Sequence, residues 1–145
     1  MEEEPVREFA ETAPDYAGAI LAVHLASELL VSARQKFDDA QYDESVAESG
    51  DSIRASASAL LLRDGFVASS FRATCDYLFL HYPGMLCLDA WGKTEEIRSN
   101  AVNGIIRTIL KIMGIIKPIT KKEAEMVMQS AEDFLVSVEE LLGRR

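Results

Sequence analysis

Apolar side chains recur at spacings of three and four residues along most of this chain, which predicts helices rather than strands. Each periodic segment is bounded by residues that favour the start or the end of a helix. Five helices are predicted, running from Pro14 or Asp15 to about Asp38, from about Asp43 to Arg63, from a Ser69 or Ser70 N-cap to Pro83-Gly84, from about Thr94 to Met113, and from Thr120 to about Leu142. The pattern therefore favours an all-α fold with short connections.

The first predicted helix carries two apolar stripes rather than one. One stripe consists of large residues, namely Tyr16, Ile20, Val23, Leu30 and Phe37. The other consists of alanines, namely Ala19, Ala22, Ala26 and Ala33. Because a helix buries each apolar stripe against a neighbour, we expect this helix to contact two other elements.

Five helices with short connections predict an antiparallel up-and-down four-helix bundle as the core of a five-helix protein. Residues 14–145 form a single domain, whereas residues 1–13 are an acidic lead that we expect to be mobile or loosely docked. Gly65 suits the left-handed position that ends the second helix. Thr120 and Glu123 have the spacing of a capping box at the start of the fifth.

The net charge of −9 is unevenly distributed. Residues 1–50 hold 12 acidic and 3 basic residues, whereas residues 51–145 hold 12 of each. Overall acidity argues against broad nucleic-acid binding. It leaves room for a local anion site near the predicted fourth helix, because the region from Trp91 to Lys122 carries seven basic residues and only two acidic ones.

Composition favours a cytoplasmic protein that does not cross a membrane. His24 and Glu28 interrupt the first long apolar segment, so it falls short of the roughly 18 residues that a membrane helix needs. Cys75 and Cys87 fit no metal-ligand spacing and are expected to be reduced thiols. We expect neither a metal nor a cofactor.

A polar stripe on the predicted fourth helix is the best candidate for a ligand-binding site. Asn100, Asn103, Arg107 and Lys111 follow one another at spacings of three and four residues. Arginine and lysine would hold a phosphate, and the asparagine amides would donate further hydrogen bonds. The alternative is that the stripe is a solvated helix face.

Three segments resemble the HEPN family of small helical proteins of archaea and bacteria. They are the segment from Lys36 to Tyr42 followed by a helix that ends at Gly65, the segment Ser69–Arg72, and the segment from Thr120 to Leu135. The resemblance spans roughly residues 14–142. It implies a five-helix fold, dimerisation, and either nucleotide binding or pairing with a small nucleotidyltransferase in a toxin–antitoxin system.

Active HEPN members cleave RNA with an arginine followed by a histidine after four to six intervening residues. Here eight residues separate Arg72 from His81, the candidate catalytic pair. Nine steps of about 100° place the two side chains on opposite faces of a continuous helix. The sequence therefore indicates that catalysis would need a broken helix or a second copy of the chain.

These observations leave three hypotheses. The first is a non-catalytic HEPN-like interaction module, which forms a homodimer and binds a nucleotide or a nucleotidyltransferase partner. The second is a metal-independent ribonuclease that uses Arg72 and His81 on RNA. The third is a structural bundle without a ligand.

Overall fold

The computed structural model describes residues 9–83, 112–114 and 119–143 of the chain. These residues are mostly helical, so the predicted all-α character is confirmed. The elements are β1 (Phe9–Glu11), α1 (Tyr16–Asp38), α2 (Tyr42–Asp64), β2 (Phe66–Ala68), α3 (Phe71–His81) and α4 (Lys121–Gly143). The predicted fourth helix lies almost entirely outside the described residues, and α4 corresponds to the predicted fifth.

Side chains close to the first turns of three helices fix where those helices begin. Asp15 accepts a hydrogen bond of 2.8 Å from a backbone N–H in the first turn of α1. Ser70 does the same for α3 at 3.1 Å. Thr120 and Glu123 form the predicted capping box, in which each side chain accepts the other's backbone N–H at 3.1 Å. Such caps satisfy N–H groups that have no partner within the helix.

Gly65 ends α2 in the left-handed conformation that the sequence predicts, with φ 82° and ψ 41°. A side chain here would also collide with the amino-terminal segment. A Cβ atom on Gly65 would lie 2.7 Å from the carbonyl oxygen of Thr12. Backbone conformation and close approach thus both require glycine at this position.

Part of the acidic lead is more firmly attached than its sequence predicts. β1 pairs antiparallel with β2, and Ala10 lies opposite Val67. Beyond the strand, the N–H of Thr12 donates to the carbonyl of Gly65 at 2.8 Å. The difference arises because three-residue strands are too short to produce an alternating pattern and because the two partners are far apart in sequence.

α1 and α2 form an antiparallel hairpin with small residues at the contact. We call one row of α1 its inner seam, namely Ala19, Val23, Ala26, Leu30, Ala33 and Phe37, all of which are buried or partly buried. The facing row of α2 is fully buried and consists of Ser45, Ser49, Ser52, Ser56 and Ala59. Ser52 Oγ donates to the carbonyl of Ala26 at 2.8 Å and fixes the register. Small side chains on both helices permit a short interaxial distance.

α4 contributes several of the large side chains of the core, together with α2 and α3. Phe134 is only 1% exposed, and Val138 is completely buried. The carboxyl-terminal end of α4 lies beside the start of α1 and the end of α2, because the carbonyls of Leu142 and Leu141 accept hydrogen bonds from Tyr16 and Arg63. α4 therefore runs antiparallel to α1 and parallel to α2.

Candidate functional site

The structure places Arg72 and His81 at opposite ends of one unbroken helix. α3 runs from Phe71 to His81 without interruption. Nine residues correspond to about 13 Å along the helix axis and to a half-turn around it. Both side chains are exposed. Within one chain, α3 therefore does not bring the guanidinium and the imidazole together around a common phosphate.

The predicted anion stripe, Asn100, Asn103, Arg107 and Lys111, lies outside the described residues. Gly114, which was predicted to end the fourth helix, lies in the described residues 112–114. It adopts φ 73°, the left-handed conformation typical of a helix end.

A polar cluster that the sequence analysis missed joins the ends of α2, α3 and α4. Asp64 Oδ2 accepts hydrogen bonds from the hydroxyls of Tyr77 at 2.8 Å and Tyr82 at 2.5 Å. Asp64 Oδ1 accepts from Nε of Arg63 at 3.2 Å. The same arginine donates to Tyr82 Oη at 2.7 Å and to the carbonyl of Leu141 at 2.5 Å.

Burial and the adjacent carboxylate keep both phenols of this cluster protonated. Burial, followed by the hydrogen bond to Asp64, raises the pKa of Tyr82 to about 12. The same two causes raise the pKa of Tyr77 further. Burial alone would lower the pKa of Arg63, but Tyr82 and Asp64 outweigh it and raise that pKa. At neutral pH the cluster therefore consists of a cation, a carboxylate and two neutral phenols.

These charges and hydrogen bonds fit a structural clamp better than a reactive site. The two phenols and the arginine each donate to groups within the cluster, and these contacts connect three helices. His81 lies outside the hydrogen bonds but stacks on Tyr77, with ring centroids 4.3 Å apart. One sequence signal points to the clamp: a buried tyrosine needs a polar partner, and Asp64 is the acidic residue directly before the glycine that ends α2.

A pocket of the usual size for a small ligand is not formed where β2 meets α2 and α3. Two adjoining cavities there have volumes of about 190 and 180 Å³. Ligand pockets commonly measure about 300–1,000 Å³. Each of these cavities is therefore smaller than a typical ligand pocket.

The most unusual surface of the described chain is the outward side of α1. Large apolar side chains are exposed there, namely Ile20, Leu21, Leu25 and Val31. We call one row on this side the outer seam, defined by Ala17, Leu21, His24, Glu28, Val31 and Gln35, all exposed. Leu21 is 69% exposed and Val31 is 59% exposed. A cluster of apolar side chains on a surface marks a region that binds another surface.

By length and composition alone, α1 also meets the requirement for crossing a membrane. Only 22% of its most apolar window is buried inside the protein. His24 and Glu28, expected from the sequence to interrupt the apolar segment, do not prevent α1 from meeting this criterion. The absence of a membrane span and the cytoplasmic location therefore stay predictions.

Comparison with known proteins adds no family to these observations. No protein-family model matches the chain, and no curated protein matches it. The resemblance to HEPN proteins accordingly stays a prediction from the sequence.

Proposed function

We propose that this protein is a non-catalytic HEPN-like interaction module that works as a homodimer. One observation carries the proposal: α1 buries three alanines, Ala19, Ala26 and Ala33, and leaves Ile20, Leu21, Leu25 and Val31 exposed. A large apolar side chain that stays exposed does not contribute the roughly 1.5–3 kcal/mol of stabilising free energy that its burial would provide. A second surface that covers these side chains recovers part of that free energy.

The proposal includes a five-helix architecture with an antiparallel up-and-down four-helix core. The ends of the described segments support it. α3 finishes at the Asp64 clamp, whereas Ile119 packs with Val46 and Val127 near the start of α4. The connection from α3 to α4 therefore has to cover the length of α4, about 34 Å for 23 residues. One further helix antiparallel to α4 would meet that requirement.

Sedimentation velocity over a range of concentrations tests the homodimer. We expect the wild type to shift from a 16.0 kDa monomer to a dimer as its concentration rises. The double substitution Leu21→Asp and Val31→Asp should keep the protein monomeric, because it places carboxylates on the outer seam. Val136→Asp, at an exposed position of α4, is the matched control and should leave association unchanged.

A wild type that sediments as a clean monomer at high concentration would refute the homodimer. Flotation with lipid vesicles provides the second readout. Wild type that floats with neutral phosphatidylcholine vesicles, while the Leu21→Asp and Val31→Asp variant does not, would assign the surface of α1 to a membrane and would also refute the homodimer.

The ligands in this proposal come from the HEPN resemblance: a nucleotide held by Asn100, Asn103, Arg107 and Lys111, or a nucleotidyltransferase partner. Calorimetry with adenine and guanine nucleotides tests the first. If the stripe holds the phosphates, replacing both Arg107 and Lys111 with alanine should abolish binding. Binding that survives this double substitution would remove the stripe as the site.

The non-catalytic part of the proposal rests on the separation of Arg72 and His81 along α3. An RNA cleavage assay with wild type and His81→Ala tests it, and we expect no cleavage by either protein. Cleavage by wild type that is lost on substitution would instead support the ribonuclease hypothesis, with the two residues contributed by different copies of the chain.

A further inference from the structure

We infer that the homodimer forms by antiparallel contact between the outer seams of two α1 helices, with His24 of each copy beside Glu28 of the other. This inference rests on the proposed homodimer and specifies its interface. It uses exposed residues of α1 only, and none of them belongs to the Asp64 clamp or to the predicted anion stripe.

The spacing of the outer seam is that of a coiled-coil contact. Its six positions, 17, 21, 24, 28, 31 and 35, alternate between steps of four and three residues. That alternation has an average period of 3.5 residues, which keeps one row of side chains facing a partner helix along its whole length. The inner seam has the same spacing and already faces α2. What distinguishes the outer seam is that two of its positions, Leu21 and Val31, carry large apolar side chains that are 69% and 59% exposed.

Six positions with this alternation of steps can pair with a second copy of themselves about a common centre. Positions 17 and 35, 21 and 31, and 24 and 28 lie at equal distances from position 26. In a twofold interface, a residue that contacts another is contacted by the same residue in return. Two antiparallel copies centred on position 26 therefore place Leu21 beside Val31 and His24 beside Glu28, each contact occurring twice.

Charge favours the antiparallel arrangement over the parallel one. A parallel pair in register would place Glu28 beside Glu28 of the second copy, which is repulsive. The antiparallel pair places each Glu28 beside an imidazole that can donate a hydrogen bond to its carboxylate. Complementary pairs of this kind set the orientation of helices more than the strength of the contact.

The size of the contact sets the expected strength. The outer seam covers 18 residue steps, or about 27 Å of helix. A single pair of helices of that length buries less than the roughly 1,600 Å² of a standard interface. We therefore expect a dimer with a dissociation constant in the micromolar range, one that dilution separates into monomers.

A charge exchange tests this contact. His24→Glu puts a second carboxylate beside Glu28 of the other copy, and Glu28→Lys puts an ammonium group beside His24. Each single substitution should raise the dissociation constant about tenfold or more, because His24→Glu sets carboxylate against carboxylate twice per dimer and Glu28→Lys removes both acceptors of the imidazole hydrogen bonds. The two substitutions together place a carboxylate of one copy beside an ammonium group of the other, so the double variant should bind within about threefold of wild type. Val136→Glu, on exposed α4, is the control and should not alter association.

The outcomes separate the interface from the homodimer itself. A wild type that dimerises with the same dissociation constant as both single variants would overturn the inferred contact and leave the homodimer intact. A double variant as weak as the single variants would also overturn the reciprocal pairing. A wild type that is monomeric at high concentration would refute the homodimer, and the inference with it. Thermal unfolding of dilute samples confirms that all variants fold.

Discussion

α1 and α4 are both helices of 23 residues, yet they use their apolar side chains in opposite ways. α4 buries phenylalanine, leucine and valine and exposes mainly polar residues between them. α1 buries three alanines completely and leaves Leu21, Leu25 and Val31 more than half exposed. The comparison teaches that the apolar content of a helix does not tell how much of the core it supplies. The contribution of a helix to the core depends on the size of the side chains on its buried row.

The two helices are consequently held in place by different means. α4 is held by burial of large side chains, each of which contributes about 1.5–3 kcal/mol. α1 is held by close approach of its backbone to α2, where serine and alanine face alanine. Removing a side chain should therefore harm α4 most, and adding one should harm the inner seam of α1 most.

The largest effect is expected for Phe134→Ala on α4. This substitution removes a ring that is 1% exposed and leaves a cavity in the core, so the free energy of unfolding should fall by about 3–5 kcal/mol. Urea denaturation followed by circular dichroism measures the change. Val136→Ala, on the exposed side of the same helix, should change stability by less than about 0.5 kcal/mol. A loss below about 1 kcal/mol for Phe134→Ala would contradict the close packing of this ring in the core.

A smaller effect is expected for Ala26→Leu on the inner seam. Ala26 is completely buried, and its carbonyl accepts the hydrogen bond from Ser52, so three additional carbons force α1 away from α2. Overpacking of this kind costs about 1–3 kcal/mol. The same substitution at the exposed Ser27 should be nearly neutral. Equal urea midpoints for the two variants would contradict a tight contact between α1 and α2.

The smallest effect concerns the clamp, which fastens α4 to α2 and α3. Tyr82→Phe removes a phenol that donates to Asp64 and accepts from Arg63, and should cost about 1 kcal/mol at pH 7. The pKa of Tyr82 is raised from 10.0 to about 12, so the stability it contributes is complete below pH 10 and is lost as pH rises toward 12.

The pH dependence of this variant separates the clamp from a simple loss of packing. Between pH 10 and 12, the free energy of unfolding should fall more steeply for wild type than for Tyr82→Phe. Tyr16→Phe is the matched control, because the Tyr16 hydroxyl reaches the carbonyl of Leu142 only at 3.5 Å and the residue is 56% exposed. Parallel pH profiles for wild type and Tyr82→Phe would contradict the proposed hydrogen bond to Asp64.

Local signals in the sequence predict the helices well because caps act within one turn. Asp15, Ser70, Gly65 and Thr120 each lie at the helix end that the sequence assigns to them. The physical reason is that the capping side chains accept hydrogen bonds from backbone N–H groups three positions away, and that glycine adopts the backbone conformation that ends a helix. That information is contained in a short window of sequence.

Contacts between distant residues were not predicted, because a short window of sequence does not contain both partners. The pairing of β1 with β2 and the contacts of Asp64 with Tyr77 and Tyr82 depend on how the helices pack, and no local pattern encodes that. The sequence also treated the large stripe of α1 as a uniform buried face. In the structure, Leu30 and Phe37 are partly buried, whereas Tyr16 is 56% exposed.

The strand pair at Gly65 has a consequence for the order of events during synthesis. β1 leaves the ribosome long before β2 does. Its backbone groups therefore lack their β2 hydrogen-bonding partners until α1 and α2 have both emerged. Docking of Thr12 against Gly65 then marks the completion of the α1–α2 hairpin. Susceptibility of the amino-terminal segment to a protease would therefore report how far the nascent chain has folded.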